Sequence, residues 1–224
     1  MRLAVSILLV TLTATVSLCG RPAQAGPAAD APVDDATRLL KWEILARHGD
    51  AGMLAAEVTA GYVESRQAGI ARLRLTFSGP VDPATLGVGA LGIRGRLGGD
   101  LSDMVAGMWL EKDDTVLVVQ LAEALDDGDR YTLSLSDQVR AAAGARIAGG
   151  HSCEAAALVG DTDGSGRVDY ADVQALRAAA AAAKIDASVS RFDVDCNGRL
   201  DESDEQTILS RTGRTLPKLP KTPA

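Results

Sequence analysis

Aromatic side chains are scarce in this 224-residue chain: two Trp, three Tyr and two Phe make up 3% of it. Polysaccharide grooves and single-strand nucleic-acid channels stack their ligands on several ring faces, and most of these seven rings can be absorbed by a core. Histidine is limited to His48 and His151, neither in a nucleophile motif, so no Ser–His–Asp or Cys–His constellation can be drawn and an enzyme is not expected. Basic residues are in deficit, 23 Lys and Arg against 30 Asp and Glu, and the formal charge of −7 argues against nucleic acid as a partner. Beyond the N-terminal run no apolar stretch reaches the ~20 residues a membrane helix needs.

That N-terminal run does carry information. Arg2, the apolar segment Leu3 to Leu18 and then Ala23-Gln24-Ala25 fit a signal peptide cut before Gly26, which predicts a secreted, extracellular or cell-surface protein. Lipid attachment at Cys19 is the alternative, but Leu18 is too large for the small residue required there. Removal of the signal leaves Cys153 and Cys196, an even pair in an oxidising compartment, and a disulfide between them is expected. Closing that loop would add roughly 4 kcal/mol in the chain-entropy model. Two separate thiols, or a His151/Cys metal site, are the alternatives.

The densest chemistry lies near the C-terminus, in two twelve-residue segments, DTDGSGRVDYAD from Asp161 to Asp172 and DVDCNGRLDESD from Asp193 to Asp204. In the first, Asp161, Asp163, Ser165 and Asp169 occupy positions 1, 3, 5 and 9, Gly166 position 6, and Asp172 position 12. The second repeats the pattern with Asp193, Asp195, Asn197, Gly198, Asp201 and Asp204. Alternate side chains of a tight loop converge on one ion, and the position 7 carbonyl, of Arg167 or Arg199, completes a ring of hard oxygen ligands suited to calcium. Two calcium ions are therefore expected. Residues 161 to 205 hold eleven acids and five bases, so the ions would also relieve a local charge imbalance. An ion that binds only the native chain adds about 2.7 kcal/mol at 100 times its dissociation constant.

Both loops end in Asp rather than the Glu of helix–loop–helix calcium motifs, and neither has room for an entering helix in Ala155 to Gly160 or Ser188 to Phe192. Helical patterns follow at Ala171 to Lys184 and Ser203 to Arg211. On these features residues Leu158 to about Gly213 resemble a type I dockerin, a duplicated calcium loop followed by one helix. The resemblance implies calcium-dependent docking onto a cohesin-like extracellular protein, with partner choice at positions 10 and 11 of each loop. Dockerins often hold a Ser-Thr pair there; this chain has Tyr170-Ala171 and Glu202-Ser203, which argues against a standard cohesin and against two equivalent binding orientations.

The middle of the chain alternates apolar and polar residues in short runs. Ala71 to Phe77, Gly87 to Arg94, Met104 to Glu111, Thr115 to Leu121 and Arg130 to Ser136 read as strands, with another around Trp42 to Arg47. Turns at Ser78-Gly79-Pro80, Gly98-Gly99-Asp100 and Asp126 to Asp129 separate them, a spacing that suggests a β-sandwich. The segments GIARLRLTFSGPVDPATL and DRYTL make this region similar to bacterial immunoglobulin-like domains of exported proteins. Gly87 to Gly92 formally matches a dinucleotide-binding glycine pattern, but Ile93-Arg94-Gly95-Arg96 follows instead of a helix.

The fold expected is thus mainly β with a small α module, an immunoglobulin-like β-sandwich followed by a dockerin-like pair of calcium loop–helix repeats. The layout is a signal peptide at 1–25, a linker at 26–40, the sandwich at 41–158, the dockerin-like module at 159–213 and a disordered Pro-rich tail at 214–224. The function expected is non-catalytic extracellular docking, in polysaccharide-degrading or cell-surface assemblies. One alternative is a structural surface protein that uses calcium only for stability. Another is a sandwich binding polysaccharide directly on Trp42, Tyr62, Phe77, Trp109 and Tyr131.

Overall fold

Alternation along Arg72–Phe77 sets the frame. Leu73, Leu75 and Phe77 turn inward and are buried, while Arg72, Arg74 and Thr76 remain partly exposed. In the computed structural model, which describes residues 36–181 and 184–218, this strand is β4. The expected signal peptide, with Cys19, the linker as far as residue 35 and the tail from residue 219 lie outside the described residues.

Two five-stranded sheets carry the β region. One comprises β1 (Leu39–His48), β2 (Gly52–Glu57), β4, β7 (Val105–Glu111) and β8 (Val116–Leu121), all antiparallel, in the order β2-β1-β4-β8-β7. The other comprises β3 (Val63–Glu64), β5 (Leu91–Gly95), β6 (Gly99–Asp100), β9 (Asp129–Leu135) and β10 (Ser152–Ala157), in the order β3-β10-β9-β5-β6. Only the short β3 runs parallel to its neighbour, β10. Ile44, Leu73, Leu75, Leu117 and Val119 of the first sheet share one apolar core with Leu91, Ile93, Tyr131, Leu133 and Ala155 of the second. Each fully buried aliphatic side chain contributes about 1.5–3 kcal/mol. The molecule is mainly β, and its larger part is a two-sheet sandwich.

The expected strands appear with ends shifted by a few residues. Gly87 to Ala90 is a turn, closed by Ala90 N–H donating to Gly87 O at 2.9 Å, and β5 begins only at Leu91. The glycine pattern therefore leads into a strand, not a helix. Strands β2, β3, β6 and β10 were not marked by alternation, because Gly, Ala and two-residue lengths carry little β signal.

After β10 the chain enters the acidic repeats. Helix α1 (Tyr170–Ala179) follows the first loop and α2 (Glu202–Ser210) the second. Asp169 and Asp201 cap the two helices, and each N-cap is closed reciprocally by the carboxylate three residues on, Asp172 or Asp204. Helix α1 ends well short of Lys184. Its buried apolar anchors, Val173 and Leu176, lie in its first two turns, and the alanines beyond add almost no apolar area.

A second core joins the repeats to the sandwich. Leu158, Val159, Val168, Val173, Leu176, Val194, Ile208 and Leu216 pack together with Val63 of β3 and Ala156 of β10, flanked by Phe192 and Leu200. Val168 and Leu200, at position 8 of the two loops, thus share one cluster. The backbone of Val168, however, pairs with the C-terminal segment: its N–H donates to Arg214 O at 2.9 Å, and its O accepts from Gly213 N–H at 2.8 Å.

That segment departs from the disordered tail expected from residue 214. Thr215 bridges Arg167, Leu216 is buried, and Arg211 and Arg214 both pair with Asp127 in the turn before β9. Leu216 fills part of the second core, and its N–H donates to Gly166 O at 2.9 Å.

Candidate metal centres

The two loops bring their acids together in matching triads. Carboxylate oxygens of Asp161, Asp163 and Asp172 lie within 4.8 Å of one another, and so do those of Asp193, Asp195 and Asp204. The sharp turn at position 6 requires positive φ, +80° at Gly166 and +91° at Gly198. There the glycine N–H donates to the position 1 carboxylate, Gly166 to Asp161 Oδ2 at 2.7 Å and Gly198 to Asp193 Oδ2 at 2.9 Å. At position 12, Asp172 and Asp204 use both oxygens on backbone N–H groups of their own loops.

The remaining expected ligands stand just outside the triads. Ser165 accompanies Asp163, its N–H donating to that carboxylate at 2.9 Å, while its hydroxyl donates to the Arg167 carbonyl at 3.0 Å. Asn197 Oδ1 accepts from Arg199 N–H at 2.8 Å, and its Nδ2 donates to Asp195 Oδ2 at 2.9 Å. Asp169 and Asp201 face their helix caps: Asp169 accepts from Ala171 N–H and the Arg167 guanidinium, Asp201 from Ser203. These bonds hold both carboxyls below the usual carboxylate range.

Although partial desolvation acts to raise it, Asp163 is held below its ordinary value by hydrogen bonds from Ser165, while the more deeply buried Asp161, Asp172 and Asp204 are driven the other way. Burial, with neighbouring acids adding to it, pushes the Asp161 carboxyl above its ordinary range, raises Asp172, and lifts Asp204 to about 6. Asp193 is fully buried, and its Oδ1 finds no hydrogen-bond partner among the described residues. A buried, unpartnered carboxylate oxygen among acids is costly without a cation. The donor set is all oxygen, and so fits a hard ion such as calcium.

Sequence reasoning missed what stands behind loop two. His48, at the end of β1, has its Nδ1 at 2.6 Å from Asp193 Oδ2, with both side chains fully buried. Its Nε2 lies 3.2 Å from Arg66 Nη1. Arg66 in turn forms a buried bidentate pair with Glu64, with two contacts of 2.6 Å, and Glu64 accepts from Tyr62 OH at 2.9 Å. Backbone bonds reinforce the seam, from Gly49 N–H to Cys196 O at 3.0 Å and from Gln67 N–H to Val194 O at 2.7 Å. No local motif marks these residues, because His48 and Asp193 are 145 positions apart.

The expected disulfide is absent: Cys153 and Cys196 are separate thiols. Cys153 lies beside the sandwich core, four residues or roughly 13 Å along an extended strand before the end of β10, and the first acidic loop starts only at Asp161. Burial raises the Cys153 thiol to about 12 and the Cys196 thiol to about 11. His151 contacts Ile147 O and Asp137, and joins no metal cluster among the described residues.

The five rings considered for sugar stacking do not form a platform. Trp42, Tyr62, Phe77 and Tyr131 are buried, and Trp109, the exposed member, has the Arg72 guanidinium 5.9 Å from its ring centre. No helix among the described residues is long and apolar enough to cross a membrane.

No family model and no curated protein matches the chain. Among solved structures it is similar to the S-layer protein rSbsC(31-844), at 16% identity and a TM-score of 0.38 over 55% of this chain and 14% of that one. The N-terminal part of the bacterial S-layer protein SbsC gives 15% identity and a TM-score of 0.32, over 55% of this chain and 24% of that one. Native E. coli alpha-2-macroglobulin gives 15% identity and a TM-score of 0.38, over 56% of this chain and 6% of that one. The chain thus spans less than a quarter of the length of each of these proteins.

Proposed function

We propose that this chain is a secreted, non-catalytic calcium-binding protein of the cell exterior or cell surface. Its dockerin-like module, folded around two calcium ions, docks onto another extracellular protein. The observation that carries the calcium part is the paired carboxylate triads, one of them holding the fully buried and unpartnered Asp193 Oδ1. The immunoglobulin-like character of the sandwich is supported by Tyr131, whose hydroxyl reaches back from β9 to Asp126 O at 2.7 Å, as a tyrosine corner does.

The docking part draws on the outer face of α1 and α2. Arg177 links the two helices there, pairing with Glu205 at 2.5 Å and donating to Tyr170 OH at 3.1 Å, and Tyr170 and Leu209 are exposed beside it. Position 10 of the first loop, Tyr170, is exposed on this outer face, which supports a part for it in partner choice. The receptor is a cohesin-like protein in general kind, recognising a tyrosine and a charged pair where dockerins commonly show Ser-Thr.

A second reading has one observation in its favour. The base of loop two is covered by the sandwich, with Gly49 and His48 seated against Cys196, Asn197 and Gly198. Calcium would then stabilise a surface protein and recruit nothing. Pull-down from extracellular proteins of the source, with calcium, with chelator and with Asp161→Ala and Asp193→Ala, separates the two. Calcium-dependent capture that Tyr170→Ala abolishes supports docking; a calcium-loaded, folded protein that captures nothing supports the structural reading.

A further inference from the structure

We infer that His48 is a positioning residue for the cation of loop two, so that the β-sandwich completes that metal site. The inference rests on the proposed calcium binding. A carboxylate at loop position 1 has one oxygen for the ion and one to be anchored. Asp193 Oδ2 is anchored twice, by Gly198 N–H at 2.9 Å and by His48 Nδ1 at 2.6 Å, which leaves the buried, unpartnered Oδ1 for the ion.

The tautomer follows from the neighbour on the other side of the ring. An arginine guanidinium can only donate, so His48 Nε2, 3.2 Å from Arg66 Nη1, is the acceptor. His48 Nδ1–H then donates to Asp193 Oδ2. Arg66 is held by Glu64, and Glu64 by Tyr62, so the ring is fixed by a chain of buried sandwich residues. Second-layer hydrogen bonds of this kind orient a metal-binding side chain before the ion arrives.

Loop one has no counterpart. Asp161 Oδ2 accepts from Gly166 N–H at 2.7 Å, and its Oδ1 is taken up by Ser165 N–H at 2.9 Å; among the described residues no sandwich side chain hydrogen-bonds to it. The two loops, identical at six of their twelve positions, are therefore unequal sites. Loop two is the pre-organised one and binds calcium more tightly.

Calorimetric titration of the full chain with calcium tests this in a background where Asp161→Ala and Asp163→Ala disable loop one. One ion should bind. His48→Phe, which keeps a ring but loses both nitrogens, should weaken it 10- to 100-fold, and His48→Asn, whose amide donates from nearly the place of Nδ1, should stay within about threefold. Unchanged affinity in His48→Phe, or equal weakening in both variants, would overturn the positioning role. Absence of calcium binding even with His48 intact would instead bring down the calcium reading together with this one. Should His48→Phe fail to fold, nitrogen-15 NMR of the unaltered protein decides: a neutral ring protonated on Nδ1 supports the assignment, and one protonated on Nε2 refutes it.

Discussion

His48 and Asp193, 145 residues apart in the chain, meet at 2.6 Å with both side chains fully removed from solvent. This contact makes the acidic repeats part of the sandwich rather than an appendage on a tether. It also puts a titratable ring, a guanidinium and two carboxylates into a seam where each polar group depends on the next.

Breaking the Glu64–Arg66 pair from one side should be severe. Both side chains are fully buried, so Arg66→Met leaves Glu64 charged and short of donors, and a loss of about 3–5 kcal/mol is expected by urea denaturation. The double change Glu64→Met with Arg66→Met should cost less than Arg66→Met alone, because no uncompensated charge remains.

Gly49 packs its backbone directly against loop two. It adopts φ +44°, and a Cβ there would sit 2.0 Å from the backbone oxygen of Asn197. Gly52 has φ +81° but open space around it. Gly52→Ala should therefore cost about 1 kcal/mol through backbone strain alone, and Gly49→Ala about 2–4 kcal/mol, with weaker calcium binding to loop two. Thermal melts with and without calcium compare the two.

The pH response should change sign with the metal. Burial raises Asp161 and Asp172, and carries Asp204 from 3.8 to about 6. In metal-stripped protein the folded chain holds these protons while the unfolded chain has lost them. Their contribution to stability is then largest below the ordinary carboxylate range and is lost as pH rises through about 6. Calcium needs the ionised forms, so its affinity rises across the same window. Melts of metal-stripped protein should show a falling contribution between about pH 4 and 6 that Asp204→Asn flattens.

Both cysteines should be found as thiols. Non-reducing peptide mapping is expected to show no link between Cys153 and Cys196, and alkylation of the native protein should be slow, since burial keeps the Cys153 thiol at about 12 and the Cys196 thiol at about 11.

The two acidic loops were legible in the sequence because their carboxylates are local: spacing alone brings Asp161, Asp163 and Asp172 to one point. Strands β4 and β9 were legible because one face of each meets a core. The alanine-rich β10 and the two-residue β3 carry no such alternation, yet Val63 and Ala156 from them close the second core. His48, Glu64 and Arg66 could not be singled out, since their roles exist only after the sandwich has placed them against loop two. The cysteine pair misled because an even count says nothing about distance. The tail misled because its prolines hide Leu216, an anchor for the same second core.

Calcium titration of the purified full chain after metal removal is the most direct measurement, followed by calorimetry and by melting temperature. Two ions per chain are expected, lost one at a time when Asp161 or Asp193 is replaced by Ala, with a stabilisation of about 2.7 kcal/mol per site at 100 times its dissociation constant. An unchanged melting temperature and no heat of binding at millimolar calcium would contradict it.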